Sequence, residues 1–285
     1  MLLYMRKEMN DKLILGTVQF GCQYGINSAG RPDGCVVREI LNEAEALGIT
    51  TLDTSSAYGD AEKILGNAIQ RKGSFKIISK YPQCHIPVEE CFYTTLSHIG
   101  IDRLYGYLLH HFDVYKNNPG IWRDFEKLKQ DGKTDRIGFS LYHPAELELL
   151  LKNKTAFNIV QIPYNILDRK FEPYLRVLHD MDVEIHVRST FLQGLFFMDR
   201  EKLPIKLLPL KKYLLQLDEY AKRNRMSMSS LALNYNIQNP YIDGVLIGVD
   251  NGGQLQMNVH SVTKQKIDID IRVSEEELLN PVNWK

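Results

Sequence analysis

Eight times along this chain an apolar stretch of strand character is followed by a stretch with helical spacing. That alternation limits the fold more than any other feature of its 285 residues. The strand-like stretches are LILGTVQFG (13–21), ITTLD (49–53), FKIISK (75–80), DRLYGYLLHH (102–111), TDRIGFS (134–140), FNIVQIPYN (157–165), VEIHVRS (183–189) and DGVLIG (243–248). Between them, apolar residues recur three and four positions apart, the period of a helix with one buried face. Residues 36–47 end at Gly48, and PVEECFYTTLSHIG runs from Pro87 to Gly100. These are the residues that open and close helices. Further helices are expected at 119–130, in HPAELELLLKN and PYLRVLHDMD, at 211–223 and 227–238, and in GGQLQMNVHSV. The tail SEEELLNPVNWK is expected to add a short one.

Strands separated by helices pair in parallel. Two closed solutions exist, an open doubly wound sheet and an eight-stranded barrel. Eight units with no break in composition favour one α/β domain over residues 1–285, a (β/α)8 TIM barrel. In that fold, chemistry sits on the rim formed by the C-terminal strand ends. The polar residues that close each strand are therefore the candidates.

Bulk properties narrow the partners. Lys plus Arg and Asp plus Glu both number 35, so no net charge draws the chain to nucleic acid or an anionic membrane. No apolar stretch is long enough to span a bilayer. The opening MLLYMRKEMNDK is too short and too soon charged for a signal peptide. Cys22, Cys35, Cys84 and Cys91 show no metal-like spacing and are expected as reduced thiols in a cytoplasmic protein. No metal is expected.

The stretch TLDTSSAYGDAEKILGNAIQRKGSFKIISK (51–80) carries an acid, a phenol and an ammonium. In a barrel, Asp53 and Lys80 end neighbouring strands, Tyr58 follows the first of them, and His110 ends the next strand. A phenol has an ordinary pKa of about 10 and is a poor acid at neutral pH. An adjacent Lys80 ammonium would lower it, Asp53 would anchor the lysine, and neutral His110 would donate to a substrate oxygen. Such a set moves a proton to or from an alkoxide. It supplies no hydride, so a cofactor must. Taken singly, Asp53 and Lys80 also fit a buried ion pair, and His110 an ordinary rim residue.

The blocks LGTVQFG, LDTSSAYG, ISK, LLHH, GFS, VQIPYN, RSTFLQGL and IGVDNGGQL, spread over nearly the whole chain, resemble the aldo-keto reductases. The resemblance implies a (β/α)8 barrel that uses NAD(P)H without metal. It assigns Tyr58 as general acid/base, Lys80 and Asp53 as its support, and His110, rather than His111, as the residue that orients the carbonyl. It also implies cofactor contacts from Gly16, Thr17, Asp53, Ser140, Gln161, Arg188, Ser189, Phe191, Gln193, Gly248, Asp250, Gln254 and Asn258. Residues 248–258 would close over the adenosine end, where loop and helix amides meet phosphate.

Three departures from the family pattern matter. Leu141 stands where asparagine usually follows the serine. The strand-eight segment GVDNGGQLQMN has Asp250 and no cation where NADPH-selective members hold the 2'-phosphate. A carboxylate repels that phosphate and accepts from a ribose hydroxyl, so NAD(H) is expected to bind at least as well as NADP(H), unless Lys264 intervenes. Arg188 replaces an aromatic residue that stacks on the nicotinamide. Its guanidinium can stack, pair with a neighbouring carboxylate, or hold a carboxylate- or phosphate-bearing substrate.

The expected activity is therefore reduction of an aldehyde, ketone or sugar carbonyl, or oxidation of the matching alcohol. RSTFLQGLFF further resembles a bacterial branch associated with sugar and surface-polysaccharide metabolism. The loop after Gly21 (CQYGINSAGRPDG) and the insertion after Gly194 are expected to shape the pocket, with Tyr24, Phe196, Phe197 and Met198 either lining it or packing on the rim. The chain is expected as a monomer or small homo-oligomer. The alternative is a cofactor-binding regulatory subunit with little turnover. An aldolase using Lys80 as a Schiff base is a third reading, but it has no need of Tyr58, Asp53 and His110 in this order.

Overall fold

A computed structural model describes residues 10–26, 30–71 and 73–284. The eight strands form a closed barrel in sequence order. They are β1 Leu13–Gly16, β2 Thr51–Asp53, β3 Lys76–Tyr81, β4 Leu104–Leu109, β5 Thr134–Ser140, β6 Ile159–Pro163, β7 Glu184–Arg188 and β8 Gly244–Ile247. All neighbours pair in parallel, and β8 closes on β1 with Leu13 opposite Val245 and Leu15 opposite Ile247. The helices are α1 Val18–Gly21, α2 Gly34–Ala46, α3 Ala61–Ala68, α4 Val88–Ile99, α5 Phe112–Asn117, α6 Trp122–Gln130, α7 Pro144–Lys152, α8 Glu172–Asp180, α9 Lys211–Arg223, α10 Met228–Ile237 and α11 Gly252–His260.

Alternation along each strand divides the apolar residues between two environments. Leu52, Ile77, Tyr107, Leu109, Phe139, Val160, Ile162, Ile185 and Val187 pack outward into one large core with the helices. Ile78, Leu108 and Ile159 form a separate small cluster, the plug of the barrel interior. The same interior parity carries Lys80 above Ile78 on β3 and Gln161 above Ile159 on β6. The lumen is narrow at its base: a methyl group on Gly244 would stand 2.4 Å from Ile14 and 2.6 Å from the His186 ring.

Helix ends follow side-chain chemistry. Asp33 Oδ1 accepts from the amides of Cys35 and Val36, Ser227 from Ser230 N, and Asn251 from Gln254 N. Glu146 reaches back to the amides of Tyr142 and His143 at the start of α7. Each supplies an acceptor to amides that have no partner in the first turn. Gly100 closes α4 with φ 74°, the left-handed turn that glycine adopts without strain.

Several boundaries differ from the sequence expectation. The first apolar run does not continue as strand: Thr17 N bonds Asp53 O, the ladder stops, and VQFG coils into α1 with Phe20 buried. β4 ends at Leu109, so the two histidines lie just beyond it, and the short α5 follows them. The insertion LQGLFFMDREKLPIKLLPL holds two 3-10 segments, Leu192–Phe197 and Ile205–Leu210, and the tail two more, Glu276–Leu279 and Pro281–Trp284. Insertion, α9 and tail share a second core built from Leu195, Phe196, Leu210, Leu217, Ile271 and Leu279. Among the described residues, no helix is long and apolar enough to cross a membrane.

Candidate active site

The C-terminal strand ends open into a cavity of about 420 Å³, within the usual range for a small-molecule site. Its wall runs from Gly16, Thr17, Asp53 and Tyr58 past Gln161 to Arg188, Ser189, Phe191 and Gln193. It ends at Gly248, Asp250, Gln254 and Asn258. Residues expected at opposite ends of the sequence thus share one surface. Lys80, His110 and Ser140 do not line it; they are buried behind it.

The β2–β4 side forms a hydrogen-bonded network. Lys80 is wholly buried, and its ammonium donates to Asp53 Oδ1 at 2.5 Å and to Thr54 O at 2.8 Å. Gln161 Nε2 donates to the other carboxylate oxygen at 2.8 Å. His110 is buried, with Nδ1 3.1 Å from Ser55 Oγ, a hydroxyl that also accepts from Ala57 N. The rings of Tyr58 and His110 meet edge to face at 5.6 Å, and Lys80 Nζ lies 5.2 Å from the Tyr58 ring centroid. The phenol is positioned by a backbone approach as well. A methyl group on Gly21 would fall 1.7 Å from Tyr58 O, so only glycine lets α1 seat against that turn.

Electrostatics alters one expectation. Withdrawal from water raises the pKa of Tyr58 well above the ordinary phenol range, and Asp53 adds to the rise. The Lys80 ammonium, 5.2 Å from the ring centroid, is itself paired with Asp53. The cation that works in the lowering direction is Arg188. Burial also draws Lys80 below its usual value, against the pull of Asp53. Burial first, then the Lys80 charge, lowers His110 to about 2, so its imidazole is neutral. His111 is lowered as well, chiefly by burial, and its ring lies 4.7 Å from that of His110.

The β7–β8 side is different. Ser189, Leu192 and Gln193 take φ values of 63°, 47° and 51°, the strained left-handed region for residues with a side chain. Gln193 ties this turn to the loop after β1: its carbonyl accepts from Ile26 N at 2.9 Å and its amide donates to Tyr24 Oη at 3.0 Å. Tyr24 and Phe197 line the cavity, whereas Phe196 and Met198 belong to the second core. Residues 27–29 of the first loop lie outside the described residues. Arg188 donates to Leu141 O at 3.1 Å and lies over the Tyr142 ring at 4.1 Å. Neither Tyr142 nor Gln19 stood out in the sequence. Gln19 sits inside the apolar run of strand one, which concealed it, and its side chain packs 2.4 Å from where Gly248 would carry a Cβ.

The unspent groups of the wall decide what it suits. Asp250 Oδ1 and Gln19 Oε1 are buried without a hydrogen-bond partner. Gln161, having given its amide to Asp53, keeps its oxygen for the cavity. These are acceptors, and they fit a ligand rich in donors, such as ribose hydroxyls and a carboxamide. The expected nicotinamide dinucleotide presents both. Ser140 stands opposite Gln161 in the β5–β6 register, at the same depth, but behind the wall.

Comparison with known proteins identifies the family and the fold. A family model described as "Aldo/keto reductase family" matches residues 12–272. The chain is 24% identical over 264 residues to an uncharacterised oxidoreductase, YqkF, of Bacillus subtilis (strain 168), covering 84% of both proteins. It is 25% identical to a putative voltage-gated potassium channel subunit beta of Schizosaccharomyces pombe, covering 85% of this chain and 84% of that one. The solved aldo-keto reductase AKR11C1 from Bacillus halodurans superposes with a TM-score of 0.70 at 23% identity, over 94% of this chain and 90% of that one. With the family model spanning the barrel from β1 past α11, the chain belongs to the aldo/keto reductase family of NAD(P)(H)-dependent oxidoreductases.

Proposed function

We propose that Tyr58 is the general acid/base of a carbonyl reduction, or of the reverse alcohol oxidation, on a small aldehyde, ketone or sugar. The observation that carries this is the Lys80–Asp53–Gln161 chain behind Tyr58, with a neutral His110 against its ring, on the wall of the cavity. The nicotinamide cofactor, when bound, supplies or accepts the hydride. The residues handle the proton and the geometry. Of the two acceptors within reach of the Ser55 hydrogen, His110 Nδ1 at 3.1 Å is nearer than Lys80 O at 3.5 Å, which assigns that hydrogen to the imidazole. Nε2 then carries the imidazole hydrogen and donates to a substrate oxygen that reaches past the wall to the side of the Tyr58 ring, where the remaining exposure of His110 lies. A phenol held above its usual pKa is protonated at neutral pH and transfers its proton to the alkoxide, a much stronger base. Lys80 and Asp53 keep the rim rigid and fix Gln161, whose free oxygen can accept from a carboxamide.

The cofactor is NAD(H) at least as readily as NADP(H). Asp250 presents a buried, unpartnered carboxylate oxygen to the cavity, and residues 244–258 contain no lysine or arginine. A ribose hydroxyl suits that oxygen, and a phosphate does not. A screen of small aldehydes, ketones and sugars with both reduced cofactors, joined to fluorescence titration of each, tests both statements. Consumption of cofactor with at least one carbonyl is expected. Inertness toward all of them would favour a regulatory subunit, and a tenfold tighter NADPH would remove the role given to Asp250.

A further inference from the structure

Reduction of a carbonyl leaves open what else the substrate carries, and one side chain on the wall bears on it. Arg188 ends β7 and faces the cavity. It is the one cation among the described residues that line it. Nη2 donates to Leu141 O, the guanidinium plane rests on Tyr142, and Nε is buried without a partner. Among the described residues no carboxylate pairs with it. The Tyr142 ring is braced in turn by His111, 6.5 Å away and nearly parallel. A braced guanidinium with donors to spare is preset for a planar, bidentate acceptor.

Charge counting narrows the class. Lys80 is neutralised by Asp53 at 2.5 Å, and His110 and His111 are held uncharged. Around Tyr58 that leaves the Arg188 charge; the other unpaired charge of the wall, the Asp250 carboxylate, lies in the strand-eight segment given to the ribose. A monoanion balances Arg188, while a phosphate dianion would leave a net negative charge beside the alkoxide that forms near Tyr58.

We propose that the substrate bears a carboxylate as well as its carbonyl, and that Arg188, backed by Tyr142, holds that carboxylate and so places the carbonyl at Tyr58 and His110. The proposal rests on the oxidoreductase reading and adds the substrate class to it: an oxo acid, semialdehyde or sugar acid. The carboxylate is bound and not transformed.

The test compares kcat/KM for 4-oxobutanoate and its methyl ester, which differ by one charge, in the natural protein, Arg188→Met and Arg188→Lys. Calorimetric titration of the monoanion succinamate against neutral succinamide adds a readout that needs no turnover. A charged hydrogen-bonded pair should favour acid over ester by roughly 10- to 100-fold. That ratio should collapse toward one in Arg188→Met and fall partway in Arg188→Lys, which keeps the charge and loses the fork. Succinamate binding should vanish in Arg188→Met. Equal use of acid and ester by the natural protein overturns the proposal and leaves the oxidoreductase reading intact. An Arg188→Met change that weakens NADH binding and lowers both substrates alike also overturns it, and makes Arg188 a cofactor contact. A stronger preference for glyceraldehyde 3-phosphate over glyceraldehyde than for acid over ester replaces carboxylate with phosphate. No cofactor oxidation with any carbonyl sinks the oxidoreductase reading beneath both.

Discussion

On the β2–β4 side of the rim, the charged groups and the histidine are spent on polar partners, with Thr54 Oγ1 left over; on the β7–β8 side the charged groups themselves keep unpartnered atoms. Lys80, Asp53 and Gln161 form a chain of 2.5 and 2.8 Å contacts, and Ser55 holds His110. Across the cavity, Asp250, Gln19 and Arg188 each keep a buried atom without a partner, and the Ser189–Gln193 turn is strained. A buried polar atom left unpaired costs free energy, so the second half is complete only when a ligand supplies the missing bonds. The first half is preorganised and holds its proton donor ready; the second is built to receive.

The sharpest way to break this division is Tyr58→Phe. It should lower kcat by about 10²–10⁴-fold while leaving cofactor binding in place, because the phenol hydroxyl itself is given no bond to the cofactor. Retained turnover would end the division, and so would cofactor binding lost in step with it. Next is Lys80→Met, which strands a buried Asp53 carboxylate. Urea unfolding should show a loss of about 3–5 kcal/mol; less than about 1 kcal/mol would mean the pair does not hold that half together.

His110 offers a pH-based test of the same half. Its folded pKa of about 2 lies below the ordinary 6.5. The unfolded chain therefore takes up a proton as pH falls through 6.5, and the native chain does not until near 2. The stability tied to neutral His110 is full above pH 6.5 and is lost on acidification, at about 1.4 kcal/mol per pH unit. Between pH 6.5 and 4.5 the natural protein should lose roughly 2 kcal/mol more than His110→Gln; parallel curves would mean His110 is charged in the fold. The smallest effect belongs to the receptive half. Asp250→Ser should shift the ratio of NADPH to NADH dissociation constants toward NADPH by roughly tenfold, about 1.4 kcal/mol. An unchanged ratio would remove Asp250 from the cofactor contacts.

The two halves also differ in how far they could be read from the chain. Strand–helix alternation is a local, periodic signal, so the barrel and the rim positions of Asp53, Lys80 and His110 were legible. TDRIGFS and residues 211–223 match the observed β5 and α9 end to end. What escaped depends on partners distant in sequence. Gln161 donates across 108 positions to Asp53, and Arg188 reaches Leu141 across 47. That Lys80 and Asp53 meet at 2.5 Å, and that Arg188 shares a wall with Tyr58, are matters of distance no spacing reveals. Nor does an apolar run announce that VQFG turns to helix and carries Gln19 to the wall.

The β8–β1 seam has a consequence for the order of assembly. Lys12 Nζ bonds the carbonyls of Ile237 and Asn239, 225 and 227 positions away, and β1 meets β8 over Leu13–Leu15. A chain emerging from the ribosome makes β2, β3 and β4, with Asp53, Tyr58, Lys80 and His110, long before β8 exists. Until then it is an arc of strands with two unpaired edges, β1 and β7, each able to pair with another chain. Closing so long a loop is entropically costly and comes late. The proton-handling residues are made early, but the cavity they serve has no far wall until synthesis is nearly complete, and the interval between is when this protein is most exposed to misassembly.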